Sequence, residues 1–308
     1  MLAVETRALT KSYGSKNAVN ELFMRVEQGT VYGFVGKNGA GKSTTMKMIA
    51  GLARQTSGQI MLFGEDKSHQ HGVDHAIGAL IENPGLLPNL SALDNLMVKS
   101  RAMGVEKAKE RSKALLDVVG LSYVGSKKVK GFSLGMKQRL GIALALVGNP
   151  QLLLLDEPLN GLDPEATRDM RTVIGSLAHE QGITVIISSH VLDQLNRVAD
   201  TFGVISDGSM VAEFSDAQLQ ASCGQAVRLR ATDPARAFAA LRARNAQVPI
   251  VTAPDGALVI YSGTNDQEIE AISHILYDAG IILLELGVVK RDIEDYFVEL
   301  MERGNSHA

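Results

Sequence analysis

The sequence has a single cysteine, Cys223, among its 308 residues. One cysteine excludes a disulfide framework and a zinc site built from cysteines. The simplest expectation for Cys223 is a buried, inert thiol in a reducing compartment. Residues 1–14 contain no apolar stretch of the kind found in secretory signal peptides, so no signal peptide is predicted.

Long hydrophobic runs are also missing. The best candidate, residues 140–155, carries no charge, but Asn149, Pro150 and Gln151 interrupt it and Asp156 follows directly. A membrane-spanning helix needs about 18 or more consecutive apolar residues. The stretch therefore predicts a helix end, a loop and a buried strand, and we expect that the chain does not cross a membrane by itself.

Charge is nearly balanced along the whole chain and uneven between its parts. The net charge of −3 argues against a nucleic-acid partner. Residues 215–308 hold 8 Lys and Arg against 13 Asp and Glu, whereas the rest holds 23 against 21. The length favours two domains, and we predict a larger N-terminal domain at 1–214 and an acidic accessory domain at 215–308.

The hydrophobic pattern predicts an α/β fold in the first domain. Residues 152–155 are predicted as a fully apolar strand and residues 184–188 as a second buried strand with an apolar centre, and a polar helix over residues 164–180 lies between them. Buried apolar strands that alternate with helices indicate a parallel sheet covered by helices. Further short strands are predicted at residues 3–10, 18–26 and 30–35, and helical subdomain segments within 88–120 and 133–147.

The C-terminal domain has a different order of elements. It predicts strands at 227–231, 248–252, 257–261 and 281–286, and helices at 234–245, 266–279 and 291–302. The order βαββαβ, followed by the last helix, is typical of a small α+β, ferredoxin-like module.

A phosphate-binding loop lies between the third predicted strand and the next helix. Residues 36–43 read Gly-Lys-Asn-Gly-Ala-Gly-Lys-Ser, which matches G-x4-G-K-[ST]. The glycines let backbone N–H groups wrap a phosphate, and the helix presents its positive end to the same anion. Lys42 would reach the β- and γ-phosphates, and Ser43 would ligate Mg²⁺. The nucleotide contacts predicted here are Gly36, Asn38, Gly39, Ala40, Gly41, Lys42, Ser43 and Thr44.

Two carboxylates follow the strand at residues 152–155. Asp156 is placed for the Mg²⁺ shell, and Glu157 for orienting or deprotonating a water. A solvated strand end is the plain alternative, and the neighbouring phosphate loop favours the catalytic interpretation.

These motifs together resemble an ABC-type ATPase over residues 3–214. Residues 132–139, Phe-Ser-Leu-Gly-Met-Lys-Gln-Arg, stand where that family has its LSGGQ signature. Residues 160–163 resemble the D-loop, Ser188-Ser189-His190 resembles the H-switch, and Tyr13 resembles the aromatic that stacks on adenine. The resemblance implies a P-loop NTPase core with antiparallel β and helical subdomains, binding ATP and Mg²⁺.

The resemblance also implies roles and partners. Ser133 and Gly135 would bind the ATP held by a second, identical subunit, with Asp163 also at the nucleotide and His190 sensing the γ-phosphate. Polytopic membrane permease subunits would complete the transporter, which implies a cytoplasmic chain attached to the inner face of the plasma membrane.

Two departures point to a branch of the family. Leu134 stands where the family usually has Gly, so the backbone there must suit an ordinary residue. Glu82 stands where the family usually has the Q-loop Gln, which links the metal site to the membrane partner. Glu82 is therefore predicted to lie near the metal and to take part in catalysis. Both departures, with residues 133–140 reading SLGMKQRL, resemble the bacitracin-resistance and lantibiotic-immunity branch, which implies export or clearance of an antimicrobial peptide.

Other functions stay open at this point. A soluble ABC ATPase of translation usually carries two ATPase modules in one chain, and one of DNA maintenance carries long coiled coils that are not predicted here. An ATP switch without a transport role, or a transporter ATPase for an unrelated substrate, would share every motif.

Overall fold

The computed structural model describes residues 1–67, 76–223, 225–244, 250–253, 255–260 and 266–290, with residues 293, 296, 297 and 300. The chain forms two compact units, one over Met1–Asp216 and one over Ala217–Tyr296. Phe297 groups with the first unit, where its ring packs 5.6 Å from that of Phe214 and 6.4 Å from that of Phe202. That residues 1–214 and 215–308 are two functional domains stays a prediction.

The first unit contains both strands and helices. Its strands are β1 (Leu2–Tyr13), β2 (Lys16–Glu27), β3 (Val31–Val35), β4 (Ser57–Leu62), β5 (Glu65–Asp66), β6 (Ile77–Leu80), β7 (Leu152–Asp156), β8 (Thr184–Ser189), β9 (Thr201–Ser206) and β10 (Ser209–Ser215). Its helices are α1 (Lys42–Ile49), α2 (Ala92–Ala102), α3 (Ala108–Val118), α4 (Leu134–Ala145), α5 (Pro164–His179) and α6 (Leu192–Leu195).

Two sheets organise this unit. One has the order β2-β1-β4-β5 and is antiparallel; the other has the order β10-β9-β3-β8-β7-β6. In the second sheet β9, β3, β8, β7 and β6 run parallel, and only the β9–β10 pair is antiparallel. The carboxyl ends of β3, β7 and β8 therefore meet at one edge, which is where an open α/β sheet binds its ligand.

The apolar sequence of the central strands explains their position. All of β3 and β8 and the four leucines of β7 are buried, as expected for parallel strands covered on both faces. Tyr32 on β3 is fully buried and donates from its hydroxyl to Glu213 at 2.6 Å. Burial is the main cause that raises the pKa of Tyr32, and the Glu213 charge adds to it. Gly203 on β9 leaves the space that this ring occupies.

Three of the helices begin at side-chain caps. Ser91 caps α2 by accepting from Asp94 N, Ser133 caps α4 by accepting from Met136 N at 3.3 Å, and Asp163 caps α5 by accepting from Ala166 N at 2.8 Å. Side-chain oxygens at these positions satisfy N–H groups that the first turn leaves unpaired. Pro164 follows Asp163 at the first helical position, where its missing N–H costs nothing.

The second unit confirms the predicted ferredoxin-like order. It contains α7 (Asp216–Ser222), which begins at the unit boundary, then β11 (Gln225–Ala231), α8 (Pro234–Arg244), β12 (Ile250–Thr252), β13 (Leu258–Ile260), α9 (Asp266–Asp278) and β14 (Leu283–Lys290). The four strands form an antiparallel sheet in the order β12-β13-β11-β14. Its core joins apolar residues of the strands to those of α8 and α9. Cys223 is buried, as expected.

The sequence-based elements differ from the structure in a few places. The strands β4, β5, β6, β9 and β10 and the short helices α6 and α7 are additional, and the last strand begins at Leu283 rather than at residue 281. Most of the predicted helix at 291–302 and the start of the predicted strand at 248–252 lie outside the described residues. Within the described part of the chain, no helix has both the length and the apolarity needed to span a membrane.

Candidate functional site

The phosphate loop connects β3 to α1 along residues 36–41. Gly39 and Gly41 have φ angles of 83° and 111°, and a Cβ on Gly41 would lie 2.6 Å from the Ala18 carbonyl oxygen. A Cβ on Gly36 would lie 2.5 Å from the Ile205 carbonyl oxygen. Side chains at these two positions would force the loop out of its shape, so the glycines fix a backbone path that turns directly into α1.

Lys42 is folded back over this loop. Its Nζ donates to the carbonyl oxygen of Gly36 at 2.6 Å and to that of Lys37 at 3.2 Å, and the side chain is 5% exposed. The same Nζ lies 3.6 Å from Oε1 of Glu157. Burial is the main cause that lowers the pKa of Lys42, and the carboxylates of Glu157 and Asp156 act in the opposite direction.

The two predicted carboxylates stand at the end of β7 beside the end of β8. Asp156 pairs in register with Ser188, whose hydroxyl donates to Oδ1 of Asp156 at 2.6 Å. The same hydroxyl oxygen accepts from the backbone N–H of Glu157 at 2.9 Å. Glu157 has a positive φ of 50°, which turns its side chain away from the strand direction.

His190 completes the group. Its Nδ1 lies 2.9 Å from Oε2 of Glu157, so the Glu157 carboxylate stands between the Lys42 ammonium and the His190 imidazole. The structure thus brings together Lys42, Asp156, Glu157 and His190, all of which the sequence predicts. The sequence reasoning missed Ser188 as a site residue, and the signal that could have found it is its place near the end of β8, two residues before His190.

Glu82 has a neighbour that the sequence reasoning did not foresee. It lies in the loop after β6 with a φ of 64° and accepts from Lys47 Nζ at 2.5 Å, across to the last turn of α1. The hydrogen bond from Lys47 to Glu82 is the main cause that raises the pKa of Lys47, and Tyr13 and Asp156 lie near enough to add smaller contributions. The predicted metal and catalytic role of Glu82 stays a prediction.

The remaining predicted residues lie on other elements. Tyr13 ends β1 and is half exposed, with Lys11 Nζ 4.9 Å from its ring centroid. Ser133 and Gly135 lie at the start of α4, where a Cβ on Gly135 would meet that of Ala166 at 3.0 Å. The Asp163 carboxylate caps α5.

Leu134 occupies the first position of α4. It is not among the residues with positive φ, so the backbone there suits an ordinary residue, as the sequence requires. Its side chain is 47% exposed.

The geometry fits a nucleoside triphosphate and Mg²⁺. The helix α1 begins at a glycine, has no side-chain cap and no acidic residue in its first turn, so its N–H groups are available to an anion. Ser43 and Thr44, both partly exposed, open that helix. Among the described residues, no cluster of three or more His, Cys, Asp or Glu side chains could hold a metal. The predicted donors are the Ser43 hydroxyl and the Asp156 carboxylate, with Glu82 as a further candidate. They suit Mg²⁺, which takes one or two carboxylates and completes its shell with water and phosphate oxygens.

Comparison with known proteins decides the family. A family model described as ABC transporter matches residues 19–160. The bacitracin transport ATP-binding protein BcrA of Bacillus licheniformis is 38% identical over 302 residues, which cover 98% of each chain. The chain belongs to the ABC transporter family. It is the ATP-binding subunit of such a transporter and an ATPase, with ATP and Mg²⁺ as its ligands.

Two further proteins are similar to this ABC ATPase. The lantibiotic transport ATP-binding protein SrtF of Streptococcus pyogenes is 45% identical over 205 residues, covering 67% of this chain and 87% of that protein. A solved structure of an ATP-binding subunit of an ABC transporter is 28% identical, with a TM-score of 0.62, and covers 71% of this chain and 92% of its own. The fold predicted from the motifs is confirmed.

Proposed function

We propose that Glu157 is the general base of ATP hydrolysis in this subunit. Its carboxylate lies at hydrogen-bonding distance from His190 and 3.6 Å from Lys42, at the sheet edge where the phosphate loop begins. This arrangement is the observation that carries the proposal, because a base must stand beside the group that holds the transferred phosphoryl. Lys42 holds the β- and γ-phosphates, Tyr13 stacks on adenine, and His190 contacts the γ-phosphate.

Ser43 and Asp156 would hold Mg²⁺, with Glu82 near it. Mg²⁺, when bound, neutralises charge on the phosphate oxygens. Ser188 orients Asp156 through its 2.6 Å hydrogen bond and fixes the backbone of Glu157. Glu157 accepts the proton of the attacking water, and Lys42 keeps its ammonium at the phosphates throughout. When phosphate is released, His190 loses its contact with the γ-phosphate.

A second copy of the chain completes each site. Ser133 and Gly135 open α4, a helix other than the one that follows the phosphate loop. The N-terminal end of α4 is suited to a phosphate, and in the proposed homodimer it reaches the ATP held by the partner. Closing of two copies on two ATP molecules moves the membrane subunits between two states.

Polytopic permease subunits are the proposed membrane partners. A groove of about 460 Å³ opens beside the loop that carries Glu82, and its wall includes the exposed apolar side chains of Leu52, Leu87 and Val98. Asn83, Pro84 and Gly85 of that loop also line it. Because Ile81 and Asn83 of the groove wall flank Glu82 in the chain, a permease segment seated there could respond to changes at the nucleotide site. The chain would then sit at the inner face of the plasma membrane.

The proposed substrate is an antimicrobial peptide of the bacitracin or lantibiotic kind. The support is the alignment over 98% of this chain with a bacitracin transport protein, which includes the accessory unit as well as the ATPase unit. The assignment is tested by measuring how well cells survive bacitracin and nisin when they express the chain with its permease and when they lack both.

The catalytic proposal is tested with Glu157→Gln. The amide cannot take a proton, so we expect steady-state ATP hydrolysis to fall by about 10²–10⁴-fold while ATP affinity is retained. The matched control is Glu110→Gln on the exposed face of α3, which leaves hydrolysis at the wild-type rate. Hydrolysis by Glu157→Gln at the control's rate would contradict the assignment of the base.

A further inference from the structure

Lys99 is the one charged residue among those that line the groove beside Glu82. It lies on α2, one residue after the exposed Val98, and shares the groove with apolar side chains that include Leu80 and Leu144. The other polar side chains on the lining are the amides of Asn83 and Asn95. A single ammonium in a groove whose other lining residues are uncharged is a feature that packing alone does not require.

The Lys99 ammonium has no carboxylate partner among the described residues. Burial is the sole cause that lowers its pKa, without a compensating nearby charge. The nearby Asn95 amide is already hydrogen-bonded to other groups. Its nitrogen donates to the carbonyl oxygens of Leu87 and Ser91, and its oxygen accepts from Leu87 N. The ammonium is therefore partly desolvated and unpaired within this part of the chain.

Covering the groove would remove the remaining water from Lys99. Burial of an unpaired charge is costly, whereas a charge that meets an opposite one with good geometry is tolerated or favourable. An occupant that is apolar throughout would thus bury Leu87 and Val98 favourably, but it would bury the Lys99 ammonium at a cost in free energy. Charge complementarity requires that the occupant bring an anionic group to the position of Lys99.

We propose that the permease segment seated in this groove carries an Asp or Glu side chain that pairs with Lys99, flanked by apolar residues that cover Leu52, Leu87 and Val98. The proposal rests on the proposed function, since it assumes a permease partner. It adds the chemistry by which the segment is recognised: an amphipathic stretch with one carboxylate on its apolar face.

The test uses the full chain, tagged and produced together with its permease subunits, and isolated from membranes in detergent. A carbodiimide joins an amine to a carboxylate only when the two are in contact, without a spacer. We expect a cross-link between Lys99 and an Asp or Glu of the membrane subunit, identified by peptide mass spectrometry. Lys99→Glu should reduce the recovered membrane subunit at least about ten-fold, because the introduced carboxylate would face the carboxylate of the permease segment in a partly buried site.

Two variants separate charge pairing from damage to the fold. Lys99→Arg keeps the positive charge and should restore recovery of the membrane subunit, while losing the cross-link because a guanidinium does not react. Arg101→Glu makes the same charge reversal on α2 at an exposed position that is not part of the groove lining, and should leave recovery unchanged.

Each outcome decides one proposal. Recovery of the membrane subunit with Lys99→Glu at the wild-type level, or a wild-type complex in which Lys99 joins no carboxylate of that subunit, overturns the pairing and leaves the permease proposal standing. A cross-link from Lys99 to a second copy of this chain also overturns it. Wild-type chain that isolates from membranes with no polytopic protein contradicts the permease proposal itself.

Discussion

At the scale of single residues, the nucleotide site depends on how Glu157 is held. A positive φ at a non-glycine residue costs of the order of 1–3 kcal/mol and persists where the surroundings enforce it. Glu157 donates its N–H to Ser188 Oγ and accepts at its carbonyl from Asn160 N at 3.1 Å, and its carboxylate contacts Lys42 and His190. These contacts fix the side chain that we assign as base. Ser188 is central because one hydroxyl serves both carboxylate residues.

Removal of the Ser188 hydroxyl should therefore weaken catalysis without removing any proposed ligand. For Ser188→Ala we expect the Mg²⁺ concentration for half-maximal hydrolysis to rise, or the turnover to fall, by about 10–100-fold, as for other groups that orient metal ligands. Magnesium titration of ATP hydrolysis measures this. Ser188→Thr, which keeps the hydroxyl, should recover most of the loss, and Ser176→Ala on α5 is the neutral control. A wild-type magnesium response in Ser188→Ala would show that the hydroxyl does not position the site.

At the scale of elements, some parts of the fold can be predicted from local sequence, whereas others depend on contacts between elements that are distant in the chain. The four leucines of β7 and the caps Ser133 and Asp163 are readable because burial and capping depend on neighbours in sequence. The contact between Ser188 and Asp156 follows from strand register, which spans 32 residues and has no local signal. The Lys47–Glu82 ion pair likewise joins a helix to a distant loop.

The fit between β3 and β9 is a second consequence of pairing. A Cβ on Gly203 would lie 2.0 Å from the hydroxyl oxygen of Tyr32, whose ring is buried and bonded to Glu213. We expect Gly203→Ala to destabilise the ATPase unit by about 1–3 kcal/mol, because the ring has no free space to move into. The midpoint of chemical denaturation, followed by far-UV circular dichroism, measures it.

Gly175 provides the matched control for this prediction. It lies inside α5 with nothing within 4 Å of a built Cβ, so Gly175→Ala should be neutral or stabilising, by up to about 1 kcal/mol. Equal midpoints for Gly203→Ala and the wild type would show that the strand pair accommodates a methyl group.

At the scale of the whole molecule, the two halves proposed for an ATP site lie on different helices of one chain. The phosphate loop precedes α1, and the signature residues Ser133 and Gly135 begin α4. The account therefore requires two copies for each turnover, with the membrane subunits driven by their closing. The accessory unit over Ala217–Tyr296 is folded around its own core, and its alignment with a bacitracin transport protein is the main support for a peptide substrate.

The mass of the Glu157→Gln chain in solution with Mg²⁺ and saturating ATP tests this claim most directly. Light scattering should give 33.0 kDa without ATP and twice that value with ATP, because bound ATP persists when the base is missing. Adding Ser133→Arg to that variant should keep ATP bound and hold the chain at the single-copy mass. A chain that binds ATP and stays at 33.0 kDa without the second substitution would contradict the shared site.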